Sequence, residues 1–241
     1  MPRGKVDAQP AYVLHSYPFR ETSLIVEVFT RDYGRIALLA RGARRPRAAI
    51  RGLLMAFQPL EIGWAGKGDV LTLMKVEWQG GQPLLNGAAL FCGYYLNELL
   101  MHLLPREDAH EKLFARYGEI LDDLSADPSG SVRETDLRRF EKALLQELGY
   151  GLTLDVDQAG GVVDADALYT YQIEHGPVRL SAKDASSNAV RGQTLLDLAA
   201  DDFSDPRSKL EAKQLMRRLL AHYLGGVELE TRKIFKELQE L

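Results

Sequence analysis

Cysteine is nearly absent from this sequence of 241 residues, which contains only Cys92. A single cysteine cannot form an internal disulfide, and in an apolar stretch it is expected to pack as a small hydrophobic residue. The five histidines stand singly along the chain, whereas a structural zinc site needs several Cys or His ligands at short spacings. We therefore expect no metal site and no cofactor.

Long apolar runs are also missing from the chain. The most apolar stretch, residues 84–104, is interrupted by Asn86, Asn97, Glu98 and His102, so it is too polar for a membrane span and indicates a buried helix. The first ten residues contain no apolar segment after their basic residues, so we expect no signal peptide. These absences predict a cytoplasmic protein with no membrane partner.

Sequence patterns typical of catalysis are hard to find. There is no G-x-S-x-G motif of a serine hydrolase, and the stretch Gly66-Lys67-Gly68 is too short for a phosphate-binding loop. A metal-dependent nuclease stays open as a weak alternative, although acidic pairs are common in loops for solubility alone. Its ligands would come from four aspartates in predicted loops: Asp164, Asp166, Asp201 and Asp202. We predict no catalytic residues and no enzymatic activity.

The charges are distributed unevenly along the chain. Residues 1–80 carry 12 Lys and Arg against 7 Asp and Glu, a net charge of +5, whereas the remaining residues carry 18 against 27, a net charge of −9. Because 46% of the residues are hydrophobic, the chain can bury a substantial core. We therefore predict two domains with different partners, at residues 1–80 and 81–241.

The first domain has the pattern of a small β-barrel. Short runs of β-branched, leucine and aromatic residues alternate with turn formers, and closing such strands into a barrel removes their exposed edges. Residues 41–54, between the third and fourth runs, have the length and place of the short helix in an OB-fold. The five predicted strands are Tyr12–Ser16, Ser23–Thr30, Arg35–Ala40, Met55–Trp64 and Val70–Trp78. In the last run we expect Val70, Thr72, Met74, Val76 and Trp78 to share one face.

Helical periodicity begins after Gly80-Gly81, so the chain as a whole is predicted to be of the α+β class, with an OB-fold barrel followed by a mainly α-helical domain. A turn at residues 127–130 separates two of the helices, and residues 153–191 read as a small irregular or β insert. The predicted helices cover residues 84–104, 113–124, 136–148, 193–200, 206–224 and about 230 to the end.

An arginine-rich loop carries the strongest chemical signal. Five arginines occur within residues 41–51 without one acid, and guanidinium groups match phosphate oxygens in a bidentate way. The loop therefore predicts nucleic-acid binding, although a solvated charged loop is the alternative. Nearby cations can extend the patch, and the predicted DNA-binding residues of this domain are Arg20, Arg35, Arg41, Arg44, Arg45, Arg47, Arg51 and Lys67. Tyr17 and Phe19, which flank Pro18, are the candidates for base stacking.

A second cationic face is predicted on the long C-terminal helix. Lys209, Lys213 and Arg217 are four residues apart and therefore align on one side of the helix. Rows of this kind are usually solvated helix surface, so Lys213 and Arg217 are included as further candidates for DNA contact beside that ordinary interpretation.

Several segments resemble one known family in the same order along the chain. They are the "VLHS…RETSL" opening, the "RGAR" loop, the Gly-Leu-Leu…Phe-x-Pro-Leu stretch, "YYLNELLMHLLPRED", "LRRFEKALLQELGYGL" and "YLGGVELETRKIFKEL". Together they closely resemble the RecO proteins of bacteria over essentially the whole chain. Many RecO proteins carry a four-cysteine zinc motif in the insert, and this chain, with no cysteine after Cys92, resembles the zinc-free branch.

The resemblance implies a role in DNA repair and homologous recombination. It implies binding of single- and double-stranded DNA, strand annealing, partnership with RecR, and docking of the acidic C-terminal tail of single-stranded DNA-binding protein. It further implies help in loading RecA onto coated DNA, and hence a nucleoid-associated location. The alternative is an RNA- or ribosome-associated OB-fold module, which would exploit the 2′-hydroxyl of RNA.

The third predicted helix is the candidate site for the partner's acidic tail. Such a peptide needs a cationic rim beside an apolar pocket. Arg138 and Arg139 offer the rim, and Leu137 and Phe140 the pocket. The alternative is that both arginines pair with acids on their own helix.

Overall fold

The computed structural model describes residues 4–81, 83–126, 134–181 and 188–239. The chain divides into two compact units, one formed by Met1–Val132 with Leu229–Leu241, and the other by Arg133–Glu228. The first unit thus contains the barrel, helices that follow it, and the last helix of the chain. The last barrel strand ends at Trp78, close to the predicted domain boundary at residue 80, and the division into domains at residues 1–80 and 81–241 stays a prediction.

The first unit is built on a closed five-stranded barrel with the strand order β1-β2-β3-β5-β4. Neighbouring strands are antiparallel except β3 and β5, which pair in parallel. This arrangement confirms the predicted OB-fold and the α+β class. The strands are β1 (Gly4–Phe19), β2 (Ser23–Thr30), β3 (Gly34–Ala40), β4 (Leu60–Gly66) and β5 (Val70–Trp78).

Strand β1 is much longer than predicted because it closes the barrel. Its first half, Gly4–Ala11, pairs with β4, and its second half, Ala11–Phe19, pairs with β2. Pro10, which has no backbone N–H to donate, lies where the strand changes partner, and its carbonyl accepts a hydrogen bond from the Arg31 amide. The predicted short helix after β3 is α1 (Ala49–Leu53), and β4 begins at Leu60, five residues later than expected.

The barrel core is formed by the inward-facing residues of all five strands, and it includes the fully buried Trp64. The predicted sidedness of β5 is wrong. Leu71 and Leu73 are buried in the core, whereas Met74 is 64% exposed. The pairing of β4 and β5 shifts register at Met74, which has no partner residue on β4. This extra residue changes which side chains of β5 face the core before and after it.

Seven helices are present among the described residues, and their bounds lie within a few residues of the predicted ones. Gly149, with a φ of +76°, follows the end of one of them, because a residue without a side chain adopts this conformation readily. The predicted turn at 127–130 lies outside the described residues. After α1 the helices are α2 (Gly87–Leu103), α3 (Glu111–Ala126), α4 (Glu134–Glu147), α5 (Gly192–Ala199), α6 (Pro206–Tyr223) and α7 (Glu230–Gln239).

Helices α2 and α3 cover the outer face of strands β1 to β3. The ring of Phe114 lies 5.3 Å from the rings of both Tyr12 and Phe29, and the Asn97 side chain donates a hydrogen bond of 2.8 Å to the Leu14 carbonyl. Gly34 allows the chain after α2 to approach closely, since a Cβ there would lie 1.8 Å from the Asp108 carbonyl oxygen. The outer face of these strands is therefore packed against the two helices, separately from the core inside the barrel.

The second unit combines α4, α5 and α6 with a three-stranded antiparallel sheet. The sheet forms the predicted β insert and has the order β7-β6-β8. Lys142 is buried in this unit, where its ammonium donates to the last carbonyls of α5, those of Leu198 and Ala199, and pairs with Asp201. The strands are β6 (Leu168–Gln172), β7 (Gly176–Arg179) and β8 (Ala189–Arg191).

Candidate nucleic-acid interface

The arginine-rich loop, residues 41–51, is held firmly against one end of the barrel. Ala43 is completely buried in the barrel core, and the Arg44 amide donates a hydrogen bond of 2.8 Å to the Thr22 carbonyl in the β1–β2 turn. A further bond, from the Arg45 amide to the Gly42 carbonyl, closes a tight turn. The backbone is therefore ordered before any ligand arrives, which lowers the entropy cost of binding.

The five arginines of this loop all have exposed side chains. Among the residues that the structure describes, none of them forms an ion pair with a carboxylate. Arg44 instead donates to the backbone carbonyl of Arg20, so a sixth exposed guanidinium lies beside the loop. This concentration of uncompensated positive charge favours an anionic partner, and phosphate is an anion that guanidinium groups bind in a bidentate way.

An open groove of about 440 Å³ lies at the same end of the barrel. Its aliphatic floor continues the barrel core, because Leu24 and Leu54 both contact core residues. Two of the side chains that line it, Arg44 and Arg51, carry guanidinium groups. The groove is lined by Ser16, Pro18, Leu24, Arg44, Arg51 and Leu54.

The groove was not predicted from the sequence. Ser16 and Pro18 face it because they pair with Val26 and Leu24, whose side chains point into the barrel. The one-residue shift in the β1–β2 pairing between Val13 and His15 puts them on that side, and nothing in the composition of the strand marks this shift.

Arg35 does not belong to this surface, contrary to the prediction. Its side chain is only 13% exposed, pairs with the buried Glu27 at 3.4 Å, and donates a hydrogen bond of 3.1 Å to the Leu104 carbonyl. Burial lowers the pKa of Arg35, and the neighbouring Glu27 opposes that effect. Arg106 pairs with the same carboxylate, so Arg35 is part of the contact between the barrel and its covering helices.

Lys67 is exposed but lies at the other end of the barrel. The parallel pairing of β3 and β5 starts at Ala37 opposite Val70, so the hairpin before Val70 lies towards the start of β3. The arginine loop follows Ala40, at the end of β3. The structure therefore separates Lys67 from the arginine patch.

The two aromatic residues proposed for base stacking are placed differently from each other. Tyr17 is 43% exposed on the outer face of β1, with its ring 4.4 Å from that of His15. Phe19 is only partly exposed, and the Arg20 guanidinium lies over its ring at 5.3 Å. Tyr17 therefore keeps a ring available for stacking, whereas Phe19 is partly covered by a cation of the patch.

The sheet face that OB-folds commonly use for nucleic acids is covered in this protein. That face is the outer side of the middle strands, where Glu27, Phe29 and Ala37 are all at most 3% exposed. Helices α2 and α3 account for this burial. The exposed arginines and the groove mark the loop end of the barrel as the candidate interface instead.

The cationic row on α6 belongs to the second unit and is exposed as predicted. Lys209, Lys213 and Arg217 all lie on the solvent side, while Leu215 and Leu219 are buried. Lys213 already pairs with Glu134 of α4 at 2.7 Å, and both side chains are about half exposed. The row is therefore partly neutralised by its own unit.

The residues proposed for the partner's tail do not form an exposed rim and pocket. Phe140 is completely buried, and Arg138 is buried in an ion pair with Glu141. Arg139 is partly exposed, but it pairs with Asp136, donates to the Asp201 carbonyl and stacks over Phe203. Leu137 is likewise only partly exposed. These contacts are internal to the second unit, which is the alternative that the sequence left open.

Three of the aspartates proposed for a nuclease site contact different partners. Asp164 pairs with Arg179, Asp201 pairs with Lys142, and Asp202 accepts a hydrogen bond from the Ser204 amide. Within the described parts of the chain, no group of three or more His, Cys, Asp or Glu is placed to hold a metal ion. In the same residues no helix is long and apolar enough to cross a bilayer.

Comparisons with known proteins agree with this architecture. The family profile described as "Recombination protein O N terminal" matches residues 6–81, and "Recombination protein O C terminal" matches residues 84–233. The chain is 75% identical over 239 residues to the DNA repair protein RecO of Dechloromonas aromatica, covering 99% of each chain. It is 54% identical over 240 residues to the RecO of Aromatoleum aromaticum, and 55% identical over 243 residues to that of Azoarcus sp., again over 99% of each chain. With both profiles matched and relatives this similar along their full length, the chain belongs to the RecO family.

Proposed function

We propose that this protein binds single- and double-stranded DNA at the arginine-loop end of its barrel and acts as a mediator of DNA repair and homologous recombination. The observation that carries the proposal is the set of five exposed arginines without a carboxylate partner among the described residues, fixed on an ordered loop beside a groove. The relatives named DNA repair protein RecO support the same role.

The proposed mechanism is binding and positioning rather than bond chemistry. The arginine loop neutralises backbone phosphates and releases their counterions, so binding weakens steeply as salt rises. Two strands whose phosphates are neutralised on one protein repel each other less, and this favours annealing. No catalytic residue and no cofactor are part of the proposal.

The proposed partners are RecR, the acidic C-terminal tail of single-stranded DNA-binding protein and, indirectly, RecA. In this scheme the protein docks the coating protein's tail, binds the exposed strand and helps RecA load in a cytoplasmic, nucleoid-associated setting. Since Arg138 and Phe140 are buried, we leave them out of the proposed tail site. Arg139 and Leu137 keep partly exposed side chains and remain candidates.

The tail proposal has its own test on these two residues. A fluorescent peptide with the acidic, apolar-ended sequence of the tail should bind the wild type more tightly than Arg139→Glu or Leu137→Asp. Lys209→Glu, an exposed charge reversal in the same unit, is the control. Equal affinity for all four proteins would remove the tail site from α4.

Strand annealing tests the DNA proposal directly. The triple variant Arg44→Glu/Arg45→Glu/Arg47→Glu should anneal complementary strands much more slowly than the wild type. The matched control is Lys209→Glu/Lys213→Glu/Arg217→Glu, which makes the same change in net charge on α6. If the two variants lose annealing equally, the barrel loop is not the specific DNA site.

The RNA-binding alternative is tested by competition. The interface described above contacts phosphates through guanidinium groups and includes no identified donor reserved for a 2′-hydroxyl. We therefore expect unlabelled RNA to displace a labelled DNA strand of the same sequence no better than unlabelled DNA does. A strong preference for RNA would move the protein into the RNA-binding class.

A further inference from the structure

The groove at the barrel end has a chemistry that phosphate binding does not explain. A phosphate site needs donors and charge, yet three of the side chains that line this groove are aliphatic: Pro18, Leu24 and Leu54. Burying such surface is favourable only when the ligand also has an apolar face. The volume of about 440 Å³ lies within the range of ordinary small-ligand sites.

Resting on the proposed DNA binding, we propose that this groove takes one unstacked nucleobase of a single strand, while the neighbouring arginines hold its flanking phosphates. The aliphatic floor contacts the face of the base. Arg44 and Arg51, which line the groove, can stack on a base as well as pair with a phosphate. Ser16 supplies a hydroxyl that can donate to or accept from a base edge.

The arrangement is suited to receiving a base because it is formed in advance. The Arg44 guanidinium donates a hydrogen bond of 3.2 Å to the Arg20 carbonyl, and the Arg44 amide is tied to the β1–β2 turn. Arg51 lies on α1. The residue after this helix, Leu54, is buried, and its backbone amide donates a hydrogen bond to the Ile50 carbonyl. The backbone of both walls of the groove is therefore ordered before a ligand binds.

The proposal separates single strands from duplexes. A base can enter the groove only when it is neither stacked nor paired, so the groove contributes to single-strand affinity and the arginines contribute to both. A strand of the same length with abasic sites keeps the phosphates but has no base to insert. Such a strand should bind like a pure phosphate ligand.

The test fills the groove without changing charge. Ser16→Trp places a large side chain into the groove, and His15→Trp places the same side chain on the opposite face of β1. Three labelled probes are titrated by fluorescence anisotropy: a thymidine single strand, the abasic strand and a blunt duplex. We expect Ser16→Trp to weaken single-strand binding about tenfold, the effect of losing one stacked base, and to leave the other two probes unchanged.

Four other outcomes of these titrations lead to different conclusions. If Ser16→Trp weakens all three probes equally, the groove is only a phosphate path and the proposal is wrong. If it weakens none while the arginine triple variant loses binding, the base proposal fails and the proposed DNA function stands. If His15→Trp alone weakens the single strand, the base lies on the outer face near Tyr17. A wild type that binds none of the probes removes the DNA function itself.

A second pair of variants guards against misfolding. Ser16→Cys and His15→Cys fold with small side chains and are then labelled with a bulky maleimide, which does not reach the buried Cys92. Each protein is compared with its own unlabelled form. Labelling should weaken single-strand binding only at position 16, and equal binding before and after labelling at that position would overturn the proposal.

Discussion

Two groups of arginines were predicted to bind partners, and the structure gives them different surroundings. The five arginines of the barrel loop are exposed, and none pairs with a carboxylate among the described residues. Arg138 and Arg139 of α4 pair with Glu141 and Asp136, each three residues away on the same helix. The first group is available to an external anion, whereas the second stabilises its own unit.

This difference shows that the acids near an arginine, more than the arginine itself, indicate whether it binds an external anion or stabilises its own unit. On a helix, residues three or four apart are neighbours, so an acid at that spacing claims the cation. Acids that are distant along the chain can have the same effect, since Arg191 of the second unit pairs with Asp205 and Glu211. A cluster of arginines with no acid within reach is left for a partner.

The largest effect that we predict is on the stability of the second unit. Arg138→Ala removes one partner of a buried ion pair, that of Arg138 with Glu141, and should lower the free energy of unfolding by about 3–5 kcal/mol. The matched variant Arg45→Ala removes an exposed side chain and should cost about 0.5 kcal/mol or less. Urea denaturation measures both. Similar losses from the two variants would erase the distinction between the groups.

A smaller effect separates two arginines within the barrel. Arg35→Gln should lower the free energy of unfolding by about 2 kcal/mol, because Arg35 holds Glu27 and the Leu104 carbonyl. Its affinity for DNA should not change. Arg44→Gln should do the reverse, weakening DNA binding while unfolding at the wild-type urea concentration. If Arg35→Gln weakens DNA binding in a protein that is still folded, Arg35 belongs to the interface after all.

The smallest effect concerns acid stability and the paired arginines. A hydrogen bond from Arg191, together with the amide of Arg207, lowers the pKa of Asp205 to about 2. Its contribution to stability is therefore complete above the ordinary aspartate pKa, near 4, and is lost as the pH falls through about 2. Asp205→Asn keeps the helix cap but removes the charge. Melting curves should show the variant below the wild type at pH 6, with the gap closing between pH 4 and pH 2. A gap of constant size would show that the carboxylate charge contributes nothing.

Much of the fold could be predicted because local patterns determine it. The strand and turn signals predicted the barrel, and the apolar period predicted the helices. In α3, for example, Leu113, Tyr117 and Leu121 recur at helical spacing and are buried. Predictions failed where tertiary pairing overrides the local pattern. The register shift beside Met74 reversed the sidedness of β5, and the partner change at Pro10 extended β1.

The candidate site was predictable in charge but not in shape. The acid-free arginine loop is visible in the sequence. The sequence could not show that the Arg35 side chain pairs with Glu27 and donates to the Leu104 carbonyl, because these residues are 8 and 69 positions away along the chain. Nor could it show the groove, which depends on strand register at Ser16 and Pro18.

The most direct test of the account is a salt series of single-strand binding by fluorescence anisotropy. The wild type is compared with Arg44→Glu/Arg45→Glu/Arg47→Glu, and circular dichroism confirms that both are folded. If three phosphate contacts are lost, the variant should bind roughly tenfold or more weakly, and its slope of log affinity against log salt should be shallower by about 2. If the folded variant keeps the wild-type affinity and slope, the arginine loop is solvated surface and the DNA site lies elsewhere.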